Sequence, residues 1–124
     1  MKPYTNSNDI LHDAVALQAR AARDGYLFFT DLVDTDALWS LRRRFEEILT
    51  KYGWVDEGTD PSELITTKDA VVEGMEEFIP ILEDFQRLEE FHGFAHDPGI
   101  VGMLARLFDD TVLVHPRNIA RIVF

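Results

Sequence analysis

Cysteine is absent from the 124-residue chain, which excludes disulfides, thiolate metal sites and thiol nucleophiles. Basic residues are scarce: 12 Lys and Arg stand against 23 Asp and Glu, a formal charge of −11. A surface of that sign repels phosphate backbones and anionic lipid, so the sequence argues against nucleic-acid and membrane-surface partners. No apolar run approaches the ~20 residues that a transmembrane helix needs. The opening Met1-Lys2-Pro3-Tyr4-Thr5-Asn6 has no apolar stretch to act as a signal peptide. Internal repeats, low-complexity tracts and linkers are lacking as well. Hydrophobic residues nevertheless make up 46% of the chain, enough apolar surface to offset chain entropy. The expectation is an acidic, soluble, cytoplasmic protein of one domain, or a fragment of one, over residues 1–124.

Local patterns divide the chain into short elements. After the capping cluster Thr5-Asn6-Ser7-Asn8-Asp9, apolar Ile10, Ala14, Leu17 and Ala21 recur at helical spacing, and Asp24-Gly25 stops them; the pattern predicts a helix over 9–23. Tyr26-Leu27-Phe28-Phe29-Thr30 is short, aromatic and bounded by Gly25 and Asp31, which predicts a strand. A second helix begins at Asp34-Thr35-Asp36, carries Leu38, Leu41, Phe45, Ile48, Leu49 and Tyr52, and ends at Gly53. Residues 53–68 collect turn formers and predict a long loop with one turn at Pro61; loops of this length are commonly functional, and a lid over a substrate is one role for it. Residues 69–75 carry no clear period.

Helical spacing returns from Pro80 through Ile81, Leu82, Phe85, Leu88, Phe91 and Ala95. Asp97-Pro98 then caps a further helix with Ile100, Val101, Leu104, Leu107 and Phe108 on its apolar face, ended by Asp109-Asp110. The β-branched runs 111–115 and 118–124, parted by Pro116-Arg117, read as two strands. The resulting class is α+β, mostly helical with a few strands. The apolar strand at Ile122-Val123-Phe124 presents an edge that a partner chain or a second copy would pair with.

Catalytic motifs are wanting: no Gly-rich phosphate loop, no Gly-x-Ser-x-Gly and no selected carboxylate pair occurs. His92 and His96, four apart on a predicted helix, have the spacing of two metal ligands. No third ligand is evident, so a half-buried boundary pair is the favoured reading and no metal or catalytic residue is assigned. Arg42-Arg43-Arg44 could grip an anion; the favoured alternative is a solvated helix face balanced by Glu46 and Glu47. On the terminal strand, Asn118 and Arg121 read either as part of a pocket wall meeting a carboxylate or as an edge facing solvent.

Three stretches resemble phytanoyl-CoA dioxygenase-like proteins. They are Asp24-Gly25-Tyr26-Leu27-Phe28-Phe29-Thr30-Asp31-Leu32-Val33-Asp34, the helix pair around Phe91–Ile100 and Leu107–Asp110, and the run Val114–Phe124. The resemblance implies a double-stranded β-helix (jelly-roll, cupin-like) hydroxylase of a small organic substrate that uses Fe(II) and 2-oxoglutarate. The family holds iron with a His-x-Asp and a distant His. No His-x-Asp occurs in this chain, so no iron ligand carries over and no cofactor is expected to bind this chain alone. What the resemblance implies is the N-terminal portion of such an enzyme, with Asn118 and Arg121 bordering the cosubstrate pocket. The rival expectation is a stand-alone acidic interaction module that completes its sheet with a partner chain.

Overall fold

A computed structural model describes residues 3–66, 68–71 and 74–122. Among them are five α-helices: α1 (Ala14–Asp24), α2 (Thr35–Lys51), α3 (Ile79–Gln86), α4 (Glu89–Phe94) and α5 (Pro98–Phe108). Short 3-10 turns occupy Asn8–Ile10 and Pro61–Glu63. The chain divides into two compact units, one of Met1–Thr35 and Ala95–Val114, the other of Asp36–Phe94 and His115–Phe124.

In the first unit α1 packs on α5, with Leu17 fully buried and the Gln18 side-chain amide donating to the Leu107 carbonyl at 3.1 Å. Helix α1 starts at Ala14 instead of residue 9 because the Asp13 carboxylate caps it, accepting from the Ala16 N–H at 3.0 Å. It stops, as the pattern indicated, at Gly25 in the left-handed region. Asp97 caps α5 by accepting from the N–H groups of Gly99 and Ile100, and its other oxygen accepts from the Asp34 N–H at 3.3 Å. One carboxylate thus satisfies donors on two segments far apart in sequence. Gly99 is required there, since a Cβ at this position would lie 1.9 Å from the Leu32 carbonyl oxygen.

The expected strands are overturned, and the α+β class with them, including the first strands of a β-helix: the described residues are helical and hold no strand and no sheet. At 26–30 only an isolated parallel bridge joins Phe28 to Asn6. The physical reason is local competition: the Asn8 side chain takes both the N–H and the carbonyl of Thr30, and Asn6 takes its hydroxyl. Along 111–115 and 118–122 the propensity is present but no neighbouring strand exists among the described residues, and a ladder cannot form alone. Val123 and Phe124, the end of the expected terminal strand, lie outside the described residues, as do Thr67 of the expected loop and Val72 and Glu73.

In the second unit the buried cluster is Trp54, Phe78, Ile81, Phe85 and Ala120. Phe45, Ile48, Leu49, Leu82 and Phe91 pack around it, the faces that the spacing of α2 and α3 assigns. The helix expected from residue 80 to 95 is broken into α3 and α4 at Arg87 and Leu88. The break exposes the Gln86 carbonyl, and the His92 ring takes it up through Nε2 at 2.8 Å. Leu88, at the break, is buried.

Two substitutions in the first unit test this reading. Gly99→Ala forces methyl against backbone and is expected to lower thermal stability by at least about 2 kcal/mol. Ser7 is fully buried and its Oγ has no partner among the described residues, so Ser7→Ala should raise stability by about 1 kcal/mol. Denaturant midpoints that move oppositely to these signs contradict the packing described.

Candidate functional site

Helix α2 ends in a way that builds a site. Gly53 adopts φ +67°, its N–H donates to the Thr50 carbonyl, and the Trp54 N–H donates back to the Leu49 carbonyl, each at 2.9 Å. This pair of bonds needs a residue free to enter the left-handed region, the role of glycine just past a helix. The reversal drops Trp54 beside Leu49, and both line a cavity of about 470 Å³. Phe45 from α2, Phe85 from α3 and Phe91 from α4 supply aromatic walls, with ring centroids 4.3 Å (Phe45–Phe85) and 5.9 Å (Phe45–Phe91) apart. The remaining wall is the run Ile119–Ile122, with Leu64 and Thr66 from the loop.

Leu64 is a notable member of that lining. It sits at φ +53°, a conformation an apolar residue adopts at a cost. The position is held by its N–H to the Pro61 carbonyl and by the Arg42 guanidinium, which donates to the Ser62 carbonyl. The expected turn at Pro61 is therefore present, capped by Asp60, and it is tied to α2.

The sequence-assigned pair separates. Arg121 lines the apolar cavity as its one charged residue among the described residues, while Asn118 lies in a different, polar depression with Gln86, His92, Pro116 and Arg117. Asn118 donates its amide to His92 Nδ1 at 3.3 Å. Arg121 is exposed and makes no hydrogen bond or ion pair among the described residues. The Arg42–Arg44 run is a solvated helix face: Arg42 pairs with Glu46 at 3.1 Å and Arg44 with Glu47.

Iron does not fit these residues. No group of three His, Cys, Asp or Glu among the described residues could hold a metal ion. His92 has both ring nitrogens engaged, Nε2 with a carbonyl and Nδ1 with Asn118. His96 falls beyond the end of α4, so the two histidines share no helix face. On the cavity lining Arg121 supplies a cation and Thr66 a hydroxyl.

Trp54 and Leu64 are cavity residues that sequence patterning left in a loop; the glycine two residues after Lys51 was the available signal for the first. No signal marks Leu64. Comparison with protein-family models, with curated proteins and with solved structures gave no match. No helix among the described residues is long and apolar enough to cross a membrane.

Beside the cavity, Asp84 of α3 ties down the end of α2. Its Oδ2 accepts from Lys51 Nζ at 2.6 Å and from the Tyr52 hydroxyl at 2.9 Å. The Lys51 ammonium, and next the Tyr52 hydroxyl, hold the Asp84 carboxyl below the ordinary 3.8. A carboxyl lowered on folding contributes stability that is complete above its unfolded value and is lost as pH falls through the folded one. Asp9, Asp24 and Asp60 are lowered too, by Arg20, by Arg23 and by the Ser62 N–H respectively. Urea midpoints should therefore be flat above about pH 5 and fall below about pH 4. Asp84→Asn should make that fall shallower; a slope equal to the parent's contradicts the assignment.

Proposed function

We propose that this chain forms the apolar substrate wall of a phytanoyl-CoA dioxygenase-like hydroxylase that acts on a small organic molecule in the cytoplasm. The observation that carries the proposal is the cavity of about 470 Å³ walled by Phe45, Leu49, Trp54, Phe85 and Phe91, with Arg121 as its charged residue. Its size lies within the range of small-molecule sites, and such sites are mostly apolar with a few polar groups that orient the ligand. The resemblance of Asp24–Asp34 and Phe91–Ile100 to that family supplies the reaction class, an Fe(II)- and 2-oxoglutarate-dependent hydroxylation.

In this reading the iron is held outside the described residues. The work of this chain is to bind, to exclude water and to orient. Aromatic side chains remove an apolar substrate body from water, worth about 25 cal/mol per Å² covered. Arg121 fixes the polar end by pairing with a carboxylate.

The two tryptophans provide the test, because Trp54 lines this cavity and Trp39 does not. In Trp39→Phe protein, octanoate should quench or shift the Trp54 emission saturably, and octylamine should do so more weakly. Arg121→Gln should bring octanoate down to the level of octanol while leaving octanol unchanged. An emission unmoved by all three compounds overturns the proposal.

A further inference from the structure

The run from Arg117 to Ile122 belongs to no helix or strand, yet its exposure alternates residue by residue. Arg117, Ile119 and Arg121 are exposed, whereas Asn118, Ala120 and Ile122 are buried or half-buried. A period of two is that of an extended chain laid on a core. Ala120 is 7% exposed and belongs to the buried cluster. Even so, the backbone amides and carbonyls of residues 118–122 bond to no described residue. A backbone edge of an extended run that bonds to no described residue is a template on which another extended chain can pair.

The outward side of the run has its own chemistry. Ile119 is 62% exposed between Arg117 and Arg121, and neither arginine makes an ion pair among the described residues. The two stand about 13 Å apart along an extended chain. No acidic residue occurs from Thr111 to Ile122, in a protein of net charge −11. This is a basic, apolar-centred strip on an acidic chain.

We propose that residues 117–122 dock an extended acidic peptide of a partner protein, paired backbone to backbone. Its carboxylates, four residues apart, would face Arg117 and Arg121, with an apolar side chain between them on Ile119. Backbone groups that bond to no described residue supply affinity, and the arginine spacing supplies selectivity. Charge argues against a second copy of this chain as the occupant. Two copies paired antiparallel about Ile119 would set Arg117 against Arg121 twice, and like charges directly opposite oppose pairing.

Ile119 and Arg121 also line the cavity, so Arg117, which does not, is the residue that separates this inference from the cavity reading. The probe is a fluorescent peptide with two glutamates four residues apart and a valine midway, titrated into the whole chain and read by anisotropy. Saturable binding is expected, weakened roughly tenfold by Arg117→Glu and weakened by added salt. N-methylation of the peptide backbone at alternate residues should abolish it. A peptide with lysines in place of the glutamates should bind the Arg117→Glu, Arg121→Glu double variant better than the parent. Octanoate binding to Arg117→Glu should match the parent, which also shows that the variant folds. Absence of binding, binding indifferent to Arg117→Glu, or concentration-dependent self-association that the peptide does not compete each overturns the proposal.

Discussion

Ala120 packed among Trp54, Phe78, Ile81 and Phe85 is the contact on which the second unit's cavity and its exposed strip depend. It seats a run with no secondary structure of its own on a helical core, and the seating has two consequences. The inner edge of the run becomes a cavity wall, completing what α2, α3 and α4 leave open. The exposed side carries Arg117, Ile119 and Arg121, the last two of which also line the cavity. With no ladder bonding it among the described residues, the run is held by apolar packing and by the Asn118–His92 contact. Its position is therefore only as secure as the core beneath it.

That core is in turn positioned by the ends of helices. The turn at Gly53 returns Trp54 over Leu49, and the Lys51–Asp84–Tyr52 cluster fastens the same end of α2 to α3. The break between α3 and α4 frees the Gln86 carbonyl for His92, whose other nitrogen receives Asn118. A histidine that spacing suggests for a metal is used instead to join a helix to the 115–122 run. Hydrogen-bonding capacity spent on the fold is not available for coordination.

Helix ends were largely legible in the sequence, because they depend on chemistry within a few residues. Gly25, Gly53, Asp97 and Asp109 end or start helices where the pattern places them. Pairing was not legible. The runs 26–30 and 111–122 have strand composition, but a strand is a property of two segments, and composition reports only one. Asn6 accepts from the Asn8 N–H at the start of the first turn, as read, but its amide and the Asn8 side chain also bond to Thr30, a competition that only the fold reveals. For the site, residue types were legible and grouping was not: Arg121 and Asn118 neighbour each other on one run but serve different depressions. Alternation along an extended run places adjacent side chains on opposite sides, whereas the cavity is assembled from helices far away in sequence. The aromatic residues of α2, α3 and α4 were expected on core faces, and nothing in their spacing distinguishes a filled core from a cavity wall.

The central claim is that the space between those aromatic side chains and the 119–122 run receives a small organic acid. Methyl-resolved NMR addresses it most directly, with octanoate titrated into protein labelled at alanine, isoleucine and leucine methyls. The account predicts saturable shifts at Leu49, Leu64, Ile119, Ala120 and Ile122 with a common midpoint, and none at Leu17 in the first unit's core. Shifts that are absent, or that fall on Leu17 and spare Ala120, would contradict it.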